Sequence, residues 1–191
     1  DPILDESVFR NLGRVDKYGL DASIAWSPTP ETMVYVFGSI NESDIQDNVQ
    51  TDVCSAADIT NGVAQCTAVG DPIFALTAGK NESGAPLWTV GARVQQQFGD
   101  FELGAQVKHT GKRWVNDTNT RSVGGYTLVD LDLRWNITQN QFGDDVAVQL
   151  NVTNLLDKLY VGGFGGDLDG NSPFVQIGAP RAASISLIFG Y

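Results

Sequence analysis

Residues 181–191 run to the chain end as one alternating pattern. Ala183, Ile185, Leu187, Phe189 and Tyr191 share one parity, while Ala182, Ser184, Ser186, Ile188 and Gly190 hold the other. A period of two describes a strand with one apolar face. No polar tail follows it, and free chain ends fray unless a neighbour pairs with them. Two architectures hold such a strand. A soluble sandwich covers the apolar face with a second sheet, and a membrane β-barrel turns it to lipid.

The same alternation recurs upstream. Leu20, Ala22, Ile24 and Trp26 alternate with Asp21, Ser23 and Ala25, until Ser27-Pro28-Thr29-Pro30 interrupts the strand. A second strand spans about 32–45, but Met33-Val34-Tyr35-Val36-Phe37 is apolar on both parities and its facing stays open. Trp88, Val90, Ala92, Val94 and Phe98 form a third face. Gly99-Asp100 then has the chemistry of a tight hairpin turn, and Phe101, Leu103, Ala105 and Val107 follow. Val129, Leu131, Leu133 and Trp135 make a fifth strand, and Val146, Val148, Leu150 and Val152 a sixth, joined by a turn around 139–144. With the terminal run, the count is seven strands and no convincing helix.

The connections between these strands are in order short, long, short, intermediate, short and long. Short turns on one side and longer loops on the other are the habit of membrane barrels. If the chain end is periplasmic, the loops at about 46–86, 116–125 and 157–178 all face outside. Trp26, Trp88, Phe98, Phe101, Trp114, Tyr126 and Trp135 gather near strand ends, where an interfacial aromatic girdle belongs. A chain of 191 residues is long enough for a substantial core. No stretch reaches the roughly 18 apolar residues of a membrane helix. The mean hydropathy of −0.11 is compatible with a barrel, whose lipid face is diluted by alternating polar residues. A formal charge of −11 argues against nucleic acid as a partner.

Val152-Thr153-Asn154-Leu155-Leu156-Asp157-Lys158-Leu159-Tyr160, followed by Gly178-Ala179-Pro180-Arg181 and the terminal strand, resembles the C-terminal end of TonB-dependent outer-membrane receptors. Gly125-Tyr126-Thr127-Leu128-Val129-Asp130-Leu131 resembles the antepenultimate strand of that family, and the segment from Arg14 to Trp26 containing Tyr18-Gly19-Leu20-Asp21 resembles an earlier strand of the same barrel. The resemblance implies an all-β fold, an antiparallel transmembrane wall of about seven strands within a barrel of about 22. It also implies a bacterial outer-membrane location and partners outside these residues: a plug, the rest of the barrel, and the TonB complex acting through the plug. Seven open strands would leave two unpaired edges in lipid, which the bilayer does not tolerate. The expectation is therefore a C-terminal piece of a barrel, and the start at Asp1-Pro2 without a targeting segment fits an internal break.

Candidate sites follow from the strand faces and the loops. Arg93, Glu102, Lys108, Asp130, Asp132 and Arg134 lie on polar faces and are expected to line the lumen, pairing with one another or with the plug, or marking a path for a hydrated substrate. Arg113, Trp114, Tyr160, Phe164 and Phe174 lie in or beside outer loops, where they could stack on a ligand. Ala183, Ile185, Leu187, Phe189 and Tyr191 are expected to meet lipid. In an exported chain, Cys54 and Cys66 are expected to form a disulfide, contributing about 3 kcal/mol. Two thiols with His109 distant in sequence do not make a metal site. Asp167-Leu168-Asp169-Gly170-Asn171 resembles a calcium loop but lacks glycine at its sixth position (Ser172) and glutamate at its twelfth (Gly178). Gly162-Gly163-Phe164-Gly165-Gly166 reads as an outer loop, since no helix follows to hold a phosphate. The triplets beginning at Asn41, Asn81, Asn116, Asn136 and Asn151 read as chance occurrences of N-x-S/T. No nucleophile-elbow pattern links serine, histidine and aspartate, so no catalysis and no cofactor are expected.

Two function classes remain from the sequence. One is energy-coupled import of a scarce nutrient (a siderophore, cobalamin or an oligosaccharide). The other is a soluble secreted β-sandwich used for adhesion or binding. Dependence on detergent separates them.

Overall fold

The computed structural model describes residues 13–137, 146–165 and 174–189. Its elements are β1 (Val15–Thr29), β2 (Thr32–Ile45), β3 (Val49–Val53), α1 (Ala56–Thr60), β4 (Pro72–Ala75), β5 (Trp88–Phe98), β6 (Phe101–Thr110), β7 (Arg113–Trp114), β8 (Ser122–Val123), β9 (Tyr126–Ile137), β10 (Val146–Thr153), β11 (Val161–Gly165), β12 (Phe174–Ile177) and β13 (Ala182–Phe189). The turn expected at 139–144, the calcium-like run at 167–172, Asp1-Pro2 and Tyr191 lie outside the described residues.

Among the described residues, the seven long strands form one antiparallel sheet in the order β1-β2-β5-β6-β9-β10-β13. Each strand neighbours the next long strand in the chain, so the wall is a continuous meander. The sheet is open, with β1 and β13 as its edges. The two-residue turns fit this geometry. Gly99, between Phe98 and Phe101, has φ 59°, a left-handed conformation that glycine enters without steric penalty.

Register settles the facing of every strand. One transverse row runs Trp26–Val34–Val94–Ala105–Leu131–Val152–Ala183 across all seven strands. The row toward the turn end runs Phe98–Phe101–Trp135–Val148–Leu187. Because side chains alternate across a strand, these rows make one face, apolar except for the Thr32–Gln96 pair at the turn end and polar residues such as Glu42 and His109 toward the loops. The ambiguity in β2 is thereby resolved: Val34 and Val36 join that face, and Met33, Tyr35 and Phe37 point to the other. Ala183, Ile185, Leu187 and Phe189 pair with Val152, Leu150, Val148 and Val146 on the same apolar side.

Burial is inverted relative to a water-soluble domain. Leu20 and Ile24 on the sheet are 67% and 65% exposed, and Ile185 is 73% exposed. The fully buried side chains, Ile45, Thr77, Cys54 and Asn116, sit instead at the loop end. Each large apolar side chain left in water forgoes about 1.5–3 kcal/mol of burial. An exposed apolar face of this extent marks a surface that meets something other than water. A sandwich would cover it with a second sheet; the three small sheets, β3–β4, β7–β8 and β11–β12, each have two strands and arise from the long loops. The loops therefore carry hairpins of their own where the sequence suggested irregular polar chain.

Two aromatic residues depart from the expected girdle. Trp26, Trp88, Phe98, Phe101 and Trp135 lie on the apolar face. Tyr126 pairs with Thr110 on the opposite parity, and Trp114 belongs to the β7–β8 hairpin. A position near a strand end in sequence does not fix the face.

Candidate functional site

The face opposite the apolar one carries the charges. Arg93, Glu102, Lys108, Asp130, Asp132 and Arg134 all share it, as the register of β5, β6 and β9 requires. Arg93 reaches over β6 to Asp132, with nitrogen–oxygen distances of 2.8 and 3.0 Å. The crossing is possible because the residue beneath is Gly104. A Cβ there would lie 2.4–2.6 Å from the Asp132 carboxylate oxygens and Arg93 Nη2. Nearer the turns, Gln95 Nε2 donates to Glu102, and Arg134 Nε donates to Asn136 Oδ1 at 2.9 Å. Lys108 is exposed on the same face. Polar groups thus bond to one another across β5, β6 and β9 on this face, while Met33, Tyr35 and Phe37 of β2 give it an apolar border.

Asp130 has a different task. Its carboxylate accepts the backbone N–H of Asn154 at 2.8 Å. Asn154 is 3% exposed and adopts φ 50°, with its side chain bonded to Lys158 and to the carbonyl of Ala179. Nearby, Asp157, also at positive φ, accepts the N–H of Arg181 at 3.0 Å. This knot fixes where β10 ends and where β13 begins, so Asn154 and Asp157 shape the base of the loop at 157–178. Only the motif marked them in the sequence; their type and spacing alone gave no signal of a knot.

At the loop end, Arg113, Tyr126, Tyr160 and Phe164 come together. Arg113 is 8% exposed and donates to the carbonyls of Gly162, at 3.1 Å, and Val161. Its guanidinium lies 5.0 Å from the Phe164 ring and 5.7 Å from that of Tyr126, within cation–π range. The Tyr126 and Tyr160 rings are 4.3 Å apart. The geometry therefore gathers three of the five loop candidates, Arg113, Tyr160 and Phe164, into one packed cluster. Trp114 lies apart, with Lys112 Nζ 3.5 Å from its ring. Phe174 sits on β12, 69% exposed.

The longest loop is cross-linked. Cys54 and Cys66 form a disulfide beside the β3–β4 hairpin. Ser55 and Asp58 cap α1 reciprocally. The Asp71 carboxylate accepts the Thr67 hydroxyl and the N–H groups of Thr67 and Ala68 at 2.6–3.0 Å. Those donors hold its carboxyl below the usual aspartate range, with the Thr67 hydroxyl the main cause, and the Ser55 hydroxyl does the same for Asp58.

A meander with one predominantly apolar face, an opposite face that carries the charges, and structured loops at one end among the described residues defines a transmembrane β-barrel wall. The chain matches the model of the TonB dependent receptor-like β-barrel family over residues 1–155 and belongs to that family; it is a bacterial outer-membrane barrel segment. It is 38% identical over 78 residues to the ferrioxamine receptor of Yersinia enterocolitica, an alignment covering 40% of this chain and 10% of that receptor. Its fold is similar to that of the siderophore receptor PiuA from Acinetobacter baumannii, with TM-score 0.68, 18% identity, and coverage of 91% of this chain and 21% of that one. The ferric yersiniabactin uptake receptor FyuA from Yersinia pestis is also similar, with TM-score 0.64, 17% identity, and coverage of 92% and 24%. The chain thus spans about a fifth to a quarter of these solved receptors.

Proposed function

We propose that this chain forms part of the wall and the outer loops of an energy-coupled importer of iron–siderophore complexes. The observation that carries the reading is the two-faced register of the sheet in a chain of this family. The apolar face meets lipid, and the face of Arg93, Glu102, Lys108, Asp130, Asp132 and Arg134 lines the lumen. The loops at 46–86, 116–125 and 157–178 then project outside. The named relatives act on ferric siderophores, which favours that substrate class; cobalamin and oligosaccharides find no support among them. A plug and further strands complete the barrel, and TonB acts through the plug. Trp114 and Phe174 are the loop residues assigned to ligand contact, supported by the exposure of Phe174, while Arg113 ties β7 to the carbonyls of Val161 and Gly162.

The test is uptake of radioactive ferrioxamine by iron-starved cells whose only receptor is the full-length protein containing this chain. Uptake that requires TonB supports the reading. Equal accumulation with and without the receptor, across hydroxamate and catecholate siderophores, would refute it.

A further inference from the structure

The loops hold one another in place. Ile45, Val49, Cys54, Thr77, Val115 and Asn116 are buried within the loops or at their roots, while the wall leaves its apolar face exposed. Asn119, in the left-handed region at φ 55°, makes the first tie. Its Oδ1 accepts the N–H of Asn81 at 2.8 Å, and its Nδ2 donates to the Asn81 carbonyl at 2.7 Å. One side-chain amide thus satisfies both backbone groups of Asn81, as a paired strand would. The Ser83 N–H bonds to Asp117 Oδ1 at 2.8 Å and the Gly84 N–H to the Trp114 carbonyl at 2.9 Å, and Pro86 bridges to Arg113. The returning leg of the loop at 46–86 is therefore paired with segment 113–119 of the next loop.

Arg113 makes the second tie from that same segment. Its backbone bridges to the first loop, while its buried guanidinium bonds the carbonyls of Val161 and Gly162 in the third. Between the two ties the segment is braced from within. Asn116 Nδ2 donates to the hydroxyls of Thr118 and Thr120 at 2.7 Å, and its Oδ1 accepts the N–H of Arg121 at 3.0 Å. Moving any one of these pieces alone is costly. Lifting residues 81–86 gives up the bonds of Asn81, Ser83 and Gly84 together. Lifting segment 113–119 gives up the same bonds and also pulls a buried guanidinium from its acceptors.

We propose that the returning leg 79–87, segment 111–121 and β11 open and close as one cooperative unit, with Asn119 and Arg113 as its ties. Proteins open locally in contiguous units, and the bonds that run between loops set the bounds of this one. The disulfide lobe at 54–71 has its own cross-link and lies outside the unit. Contact with any one of the three loops then restrains the roots of all three, because the cost of ordering them is met once. The proposal goes beyond the import reading and takes from it only that these loops lie outside.

Hydrogen exchange of the full-length receptor in detergent micelles, read without a siderophore, tests this. In the unsubstituted receptor, amides 79–87, 111–121 and 161–165 should show one opening free energy, below that of β5, β6 and β9. Asn119→Gly removes the side-chain amide and keeps the left-handed backbone. Among the described residues Asn119 bonds nothing in the third loop. Exchange at 161–165 should nevertheless rise roughly tenfold, by the same factor as at 79–87. Asn119→Asp, which keeps the acceptor, should fall between. Arg113→Lys should raise exchange at 79–87 and at 161–165 by a common factor. Effects confined to the loop that each side chain touches, or separate opening free energies in the unsubstituted receptor, overturn the cooperative unit and leave the import reading intact. Loss of protection in β5, β6 and β9 together with the loops would overturn it too, because the loops would then open only with the barrel.

Discussion

Arg93 on β5 and Asp132 on β9 form their ion pair across the bare backbone of Gly104, the residue of β6 that lies between them. The pair is part-buried, so its own contribution is modest, on the order of 1 kcal/mol. The glycine is the stricter requirement. Gly104→Val places methyl groups where the carboxylate and guanidinium now sit. It should destabilise the assembled barrel by about 1–3 kcal/mol, and Asp132→Asn by less. Thermal unfolding of the full receptor in detergent measures both.

The adjacent pair Leu131 and Asp132 tests the facing. Leu131 lies between Ala105 and Val152 on the apolar face, and Asp132 between Gly104 and Asn151 on the polar one. Leu131→Arg should cost about 2–4 kcal/mol and reduce the assembled fraction in outer membranes, while Asp132→Asn assembles normally. Equal tolerance at the two positions would remove the assignment.

Arg113 should prove irreplaceable by lysine. A guanidinium can span the carbonyls of Val161 and Gly162 and lie flat between two rings, whereas an ammonium is a point donor on a flexible stem. Both Arg113→Lys and Arg113→Ala should speed hydrogen exchange in β11 and β12, by a free energy of about 1.5–3 kcal/mol for the alanine variant. β9 and β10 should keep their protection.

Non-reducing peptide mass spectrometry should recover Cys54 joined to Cys66. Reduction should raise exchange across residues 54–71 and leave the seven-stranded sheet unchanged, because the cross-link closes a loop of 12-residue separation and touches no wall strand.

That same loop should loosen in acid. Asp58 and Asp71 have lowered carboxyl pKa values in the folded loop. Their contribution is therefore complete above the ordinary carboxylate range and is lost as pH falls through the lowered folded values. Protection factors for Thr67 and Ala68 should drop over that acid interval. In Asp71→Ala they should be low at neutral pH and nearly flat with pH.

The wall was legible in the sequence because each strand is long enough to repeat its pattern several times. Leu131 through Trp135 shows the period even where Asp130, Asp132 and Arg134 interrupt the hydropathy. β2 was not legible alone, since Tyr35 and Phe37 are as apolar as Val34 and Val36; only pairing with β1 and β5 separates the two sets. The hairpins in the loops escaped notice for a physical reason. β7 and β8 have two residues each, and β3 and β11 carry register shifts, so no period can build up. The loop candidates were found by chemical type. Their meeting is tertiary, with Arg113 bonding carbonyls 48 and 49 residues away, and no local pattern encodes a contact of that range.

Apart from the shift between Trp26 and Thr29 in β1, the wall keeps one register, with a consequence for how such a chain can change over generations. Within the wall, a substitution that respects parity alters one position, whereas the insertion of a single residue exchanges inside for outside along the rest of that strand. The loops are free of this rule, because their short ladders stand outside the seven-stranded sheet and are tied to one another through Asn119 and Arg113. Changes of length are therefore tolerated best at the end that carries the small hairpins, where the chain can be extended without exchanging the two faces of the wall.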